Sequence, residues 1–272
     1  MVGLSRFESA LGDARPTSKG KSMIELVHVV KRFGQLTAVN DVSLTVPSGQ
    51  FFVLLGPNAA GKTTTLKILA GLMKPTSGSA RVCGFDLTTQ PLEARRRMAF
   101  VPDFPFLYDK LTPWEFFRFT GQLFRLDDDA ISKAGSELIG RFNLEEFVEK
   151  PIEGLSHGTK QRVAIASALL HKPEVFVIDE PMVGLDPQHA RIVKDILKER
   201  SLKGMTTLVS THQLSVAEEM ADRIGIMHHG KLINVGTRDE LRFESGAVGP
   251  LEDVFLALTA EMQNGEANRS GG

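Results

Sequence analysis

The chain has 272 residues, 42% of them apolar, enough for one large α/β domain or two modest ones around a true core. Lysine plus arginine (32) nearly balance aspartate plus glutamate (33), so no broad basic field exists and no nucleic-acid partner is expected. Cys83 is the only cysteine, which excludes an internal disulfide and points to a reducing compartment.

Residues 1–22 are small, polar and charged, lack the apolar run of a secretory signal, and are expected to be a disordered segment. Met23 opens a patterned domain expected over 23–262. IELVHVV, SLTV and FFVLL read as strands, the last apolar throughout and therefore buried. A turn follows, then a helix from about Lys62 to Leu72, closed by Gly71 and Pro75. SARVCG and MAFV read as further strands. PWEFFRFTGQLFRL and DDAISKAGSELIGRF read as helices of an all-helical insert over about 104–165. Helix 158–170 then leads to strand VFVI, helix 187–200 to TTLVS, and helix 214–221 to RIGIM. KLINVG and the helix LEDVFLALTAE close the domain, and residues 263–272 read as a flexible tail. Strands alternating with helices predict an α/β fold with a parallel core sheet. The longest apolar runs, Phe51–Leu55 and Val175–Ile178, are far below the roughly 20 residues of a membrane span, so any membrane part comes from another polypeptide.

GPNAAGKTTT, residues 56–65, has the G-x-x-x-x-G-K-[ST] spacing of a phosphate-binding loop between a buried strand and a helix. Gly56 and Gly61 let the backbone turn and aim N–H groups at phosphate oxygens, with Pro57, Asn58, Ala59, Ala60 and Thr64 completing the loop. Lys62 would reach the β- and γ-phosphates, and the Thr63 hydroxyl would ligate Mg²⁺. Downstream, VFVIDEP places Asp179 and Glu180 at the C-terminal end of a strand, where ligands sit in an open α/β sheet. Asp179 would bind the metal, and Glu180 could take a proton from an attacking water.

LSHGTKQR, residues 155–162, separates this chain from other phosphate-loop proteins: it resembles the signature motif of ATP-binding-cassette (ABC) ATPases, usually written L-S-G-G-Q. The family's other marks fall in order. Phe33 lies where an aromatic stacks on adenine, GLDP (Gly184–Pro187) follows the acid pair as the D-loop, and His212 in VSTHQ ends the next strand as the switch histidine. The resemblance covers about Met23 to Glu261. It implies a P-loop NTPase core with a mostly parallel sheet, an N-terminal antiparallel β subdomain and an α-helical insert subdomain. It also implies ATP and Mg²⁺, hydrolysis served by Glu180, His212 and Lys62, and a head-to-tail homodimer around two ATP. In that dimer Ser156 and the Gly158 N–H would meet the γ-phosphate held by the other chain.

Three departures from the family pattern stand out. Ala59 replaces a glycine, which costs about 1–2 kcal/mol if the position needs a left-handed backbone. His157 and Thr159 replace a glycine and the glutamine of the signature, while Ser156 and Gly158 remain. Asp103 stands where a glutamine usually senses Mg²⁺, and it could contact the metal through water. An acid there, like the closing LEDVFLALTAE, resembles the export-type branch. The implied function is the ATP-hydrolysing subunit of an export system, cytoplasmic and peripheral at the membrane's cytoplasmic face, driving separately encoded transmembrane permease subunits. DFPFLYDKLTPWEFF would dock that permease: most of Phe104, Phe106, Leu107, Tyr108, Trp114, Phe116 and Phe117 are expected in the insert's own core, with Phe106 and Tyr108 as anchors. The alternative is a soluble ABC ATPase in DNA repair or translation, disfavoured by one cassette, one cysteine and no basic stretch. A GTPase is disfavoured by the lack of an N-K-x-D motif.

Overall fold

The computed structural model describes residues 20–247 and 249–267. The segment expected to be disordered falls outside these residues as far as position 19, as does the expected tail from 268. In chain order the strands are β1 (Ser22–Phe33), β2 (Leu36–Pro47), β3 (Phe51–Leu55), β4 (Ser77–Val82), β5 (Phe85–Asp86), β6 (Met98–Val101), β7 (Val175–Asp179), β8 (Thr206–Thr211), β9 (Arg223–His228) and β10 (Lys231–Gly236). The helices are α1 (Lys62–Leu69), α2 (Pro91–Arg97), α3 (Pro113–Leu123), α4 (Asp128–Arg141), α5 (His157–Leu169), α6 (Pro187–Leu202), α7 (Leu214–Met220), α8 (Arg238–Ser245) and α9 (Leu251–Ala267).

Two sheets result. An antiparallel one has the order β2-β1-β4-β5, and a six-stranded one has the order β10-β9-β3-β8-β7-β6. In the larger sheet only the β10–β9 pair is antiparallel. Its central strands are apolar on both faces because both faces are covered. Phe51, Val53 and Leu55 enter one core while Phe52 and Leu54 enter the other. The same alternation places Phe176 and Ile178 against Val175 and Val177.

The α3–α5 region has no separate core. Phe116, Phe117, Leu138, Phe142 and Ile152 belong to the same buried cluster as Phe51 and Ile178. Local chemistry sets the helix starts: Thr112 and Glu115 form a capping box on α3, while Asp127, Ser156 and Asp186 cap α4, α5 and α6. Arg162 of α5, 3% exposed, donates to the Phe142 and Asn143 carbonyls at the end of α4, tying the two helices together.

The structure differs from sequence expectation at several edges. β2 begins at Leu36 rather than at SLTV, since pairing with β1 extends it. The first helix stops at Leu69, and Gly71 turns left-handed at φ 65°. α5 spans His157–Leu169, one residue earlier at each end than the expected 158–170, and α9 continues to Ala267, past the end of the expected helix LEDVFLALTAE at 261. A lone glycine such as Gly265 costs a helix only about 1 kcal/mol. α2, α8 and β5 were not expected; α8 buries only Leu241 and so lacks an apolar stripe, although Thr237 and Glu240 form a capping box.

Parallel register brings the C-terminal ends of β3, β7 and β8 to one edge, together with the residues that follow them. There the backbone is tightly packed: a Cβ at Gly56 would lie 2.2 Å from the Met227 carbonyl oxygen of β9. Gly56→Ala is therefore expected to lose about 1–3 kcal/mol of stability in urea unfolding, as an overpacked site does.

Candidate functional site

The loop after β3 wraps the start of α1. Gly61 takes φ 102°, and an added Cβ would stand 2.4 Å from the Ala38 carbonyl oxygen, so only glycine fits. Ala59 adopts φ 63°, and the strain expected for a non-glycine residue is therefore present, at about 1–2 kcal/mol. Two neighbours hold the loop: Gly230 N–H donates to the Ala60 carbonyl at 2.9 Å, and Gly56 N–H to that of Thr211 at 3.3 Å.

Lys62, 6% exposed, turns back on the loop, its Nζ donating to the Gly56 and Pro57 carbonyls at 2.8 and 3.0 Å. Glu180 Oε1 lies 3.9 Å away. Burial pulls the ammonium below its ordinary pKa, against the opposing fields of Glu180 and Asp179. The first turn of α1 contains no acid. A buried cation at the positive end of a helix creates a local excess of positive potential, which suits an anion.

Asp179 ends β7 and is 1% exposed. The Ser210 hydroxyl donates to its Oδ1, while Oδ2 is buried without a hydrogen-bond partner. Burial raises its pKa, outweighing the lowering influence of the Ser210 bond and of the nearby Thr63 hydroxyl, and the charges of Asp103 and Glu180 add to the rise. Glu180 sits at φ 46°, a left-handed position that is costly for a residue with a side chain. Its Oε1 lies 2.8 Å from His212 Nδ1, and its Oε2 accepts from Thr211 Oγ1 at 3.0 Å. A carboxylate only accepts, so His212 Nδ1 donates, and in the neutral ring Nε2 remains an acceptor.

Phe33, Asn58, Ala59, Ala60, Gly61, Lys62, Thr63, Thr64, Asp103 and Glu180 line one cavity of about 470 Å³. Gly56, Pro57 and His212 border an adjoining cavity of about 280 Å³ that shares Asn58. Phe33 is half exposed, with Lys31 Nζ 5.2 Å from its ring centroid. Asp103 Oδ1 accepts from the Phe104 N–H at 2.9 Å.

Ser156 and Gly158 do not line either cavity. Ser156 is exposed at the start of α5, where its Oγ accepts from the Thr159 N–H at 3.2 Å. A Cβ on Gly158 would stand 2.6 Å from the Gly184 carbonyl oxygen, and one on Gly184 2.2 Å from the His157 ring. The signature turn and the turn after Glu180 thus interlock. Sequence reasoning missed Leu36, Thr37, Ala38, His229 and Gly230 on the large cavity wall. They reach it from the antiparallel sheet and the β9–β10 turn, whose sequences carry no phosphate motif.

Among the described residues no three His, Cys, Asp or Glu side chains are grouped to hold a metal. The fit to Mg²⁺ rests instead on the orphaned Oδ2 of Asp179 beside the Thr63 hydroxyl. These are hard oxygen donors of the kind Mg²⁺ accepts when substrate phosphates and water complete its shell.

The expected core of the insert alone does not form: the buried members of the aromatic stretch belong to the cluster shared with the sheet. Phe116 and Phe117 are core and Trp114 packs against it, whereas Phe104, Phe106 and Tyr108 are exposed, Phe106 at 93%. Beside Phe106 opens a cleft of about 320 Å³ lined in part by Phe100, Pro105, Phe124 and His171. His171 stacks on Phe124 with centroids 3.6 Å apart. No helix among the described residues is long and apolar enough to cross a membrane.

A family model described as ABC transporter matches residues 39–183. The linearmycin resistance ATP-binding protein LnrL of Bacillus subtilis is 35% identical over 237 residues, covering 87% of this chain and 75% of that protein. The probable multidrug ABC transporter ATP-binding protein YbhF of Escherichia coli is 37% identical over 98% of this chain, which spans only 47% of that relative. Among solved structures, a dimeric post-hydrolysis state of the ATP-binding cassette MJ0796 bound to ADP and Pi is 28% identical, with a TM-score of 0.73, covering 79% of this chain and 98% of that one.

Burial holds the His171 imidazole at about 4 rather than 6.5, despite an opposing bond to the Met98 carbonyl. The unfolded chain takes up this proton near 6.5 and the folded chain only near 4, so stability is full above that window and falls as pH drops through it. Urea unfolding at pH 7 and pH 5 is expected to show a smaller loss for His171→Phe than for the wild type.

Proposed function

This chain belongs to the ABC transporter family as an ATP-binding ATPase subunit, and on that premise we propose that it drives an export system as one of two cassettes closing on two ATP. The observation that carries the proposal is an incomplete site. One cavity unites most of the phosphate loop, Asp103 and Glu180 with Phe33, while the exposed Ser156 and the half-buried Gly158 stand elsewhere. A second chain placed head to tail would supply its signature turn to each cavity, as the family resemblance implies. Dimerisation is general to ABC cassettes; that this one pairs with itself belongs to the proposal.

Each side chain has a role that its surroundings support. The Phe33 ring would stack on adenine, contributing about 1–3 kcal/mol. Backbone N–H groups within the stretch from Asn58 to Thr64 would surround the phosphates, and Lys62 would exchange the loop's own carbonyls for phosphate oxygens. Thr63 and Asp179, with Asp103 through water, would hold Mg²⁺, which neutralises phosphate charge when bound. Glu180 would take the proton of the attacking water as its oxygen bonds to the γ-phosphorus and the bond to ADP breaks. His212 would hold Glu180 through its Nδ1–H, and with the ring protonated its Nε2–H would donate to a γ-phosphate oxygen.

Because the triphosphate joins the two chains, its cleavage removes the tie between them. Shifting such a clamp from 1:99 to 99:1 takes about 5.5 kcal/mol of differential binding, a reasonable demand on two interface-spanning ATP molecules. Phe106 and Tyr108, beside the cleft, are proposed to pass that motion to a separately encoded permease at the cytoplasmic face of a membrane. Relatives named for linearmycin resistance and multidrug transport support the export direction.

Two experiments test this. Glu180→Gln is expected to lower phosphate release by about 10²–10⁴-fold and to double its solution mass in light scattering when Mg-ATP is added. A persistent monomer that binds ATP would oppose self-pairing. Alanine at both Phe106 and Tyr108 should abolish co-purification with a permease while leaving ATP turnover within about twofold, since neither residue lines the nucleotide cavity; retained co-purification would remove the docking assignment.

A further inference from the structure

We infer that Thr211 is a positioning residue for hydrolysis, its hydroxyl fixing one oxygen of Glu180 so that the other faces the γ-phosphate end of the site. This rests on Glu180 serving as the general base. β7 and β8 are parallel with Asp179 directly opposite Ser210, and the Glu180 N–H donates to the Ser210 carbonyl at 3.0 Å. Side chains alternate along both chains, so Ser210 meets Asp179 and the next pair, Thr211 and Glu180, meet on the other side. Two adjacent hydroxyls thus brace two adjacent acids.

The direction of the second bond follows from its neighbours. The Thr211 oxygen already accepts from the Gln213 N–H at 3.1 Å, and a carboxylate cannot donate, so the single hydroxyl hydrogen points to Glu180 Oε2 at 3.0 Å. With Oε2 held, Oε1 is the oxygen that meets His212 and lies 3.9 Å from Lys62. Thr211 is 2% exposed and does not line the nucleotide cavity, so it acts through Glu180 rather than on substrate. Its hydroxyl also restrains a carboxylate whose backbone is strained at φ 46° and whose rotamer would otherwise be held from the Oε1 side alone.

The test is steady-state ATP hydrolysis by Thr211→Val, which keeps the shape and removes the hydroxyl. We expect kcat to fall about tenfold, as for loss of one bond to a charged group, with KM for ATP within twofold. Thr211→Ser should restore kcat to within twofold. In a Glu180→Gln background Thr211→Val should change the residual rate less than twofold, because the group it positions is gone. Thr211→Ala, which adds no bulk, should show the same split should the valine variant fold poorly. A wild-type kcat in Thr211→Val, or equal losses in the serine variant, would overturn the inference, as would loss of ATP binding in both the valine and alanine variants. Undiminished turnover in Glu180→Gln alone would overturn the base assignment and the inference with it; a dead Glu180→Gln beside a fully active Thr211→Val would overturn only the inference.

Discussion

Lys62 is a buried ammonium with no carboxylate within hydrogen-bond reach, and much of the site is arranged around that fact. Its nearest carboxylate is 3.9 Å away, and its hydrogen bonds go to two carbonyls of its own loop. Such an arrangement leaves charge to be neutralised, because a cation removed from water costs free energy until an anion meets it. The N-terminus of α1 adds to the same potential, with no acid in its first turn to offset it. A triphosphate supplies several negative oxygens where the protein supplies few. The backbone that makes the pocket is itself under strain at Ala59 and Glu180, both left-handed; packing from β9 and the β9–β10 turn holds the loop around Ala59, and the Glu180 N–H is held by the Ser210 carbonyl of β8.

The acids lie on the opposite wall and are braced rather than free. Asp179 is buried to the point that its charged form is disfavoured, with one oxygen bonded by Ser210 and one left open. A divalent cation is the natural complement to that open oxygen, because it stabilises the charged form that burial penalises. Glu180 has both oxygens occupied, by His212 and Thr211. The difference between neighbours in sequence is a difference in environment, and on the proposed reading one acid would hold the metal and the other would take the proton.

The helical region is continuous with the sheet through a single buried cluster, and Arg162 ties α5 to the end of α4. Motion of α5 would therefore carry the signature turn with it, and that turn interlocks with the one following Glu180 through Gly158, Gly184 and His157. His157, a departure from the family pattern, occupies space that a glycine would leave empty, and its ring lies 5.7 Å from that of Phe104. Packed contacts thus join the turn after Glu180, and Phe104 beside Asp103, to the signature turn.

Much was legible in the sequence because the determining chemistry is local. The spacing of Gly56, Gly61 and Lys62 specifies a turn that only certain backbones can make, and apolar runs such as FFVLL and VFVI specify strands covered on both faces. Serine and aspartate at helix starts mark α5 and α6 without reference to anything distant. What only the tertiary structure decided depends on register and on cover. The pairing of β7 with β8 selects Thr211 as the partner of Glu180, and the packing of the antiparallel sheet and the β9–β10 turn brings Ala38, His229 and Gly230 to the nucleotide wall. Capping and periodicity act over a few residues of chain, whereas these contacts join segments more than twenty residues apart, and no local pattern encodes which of them will meet.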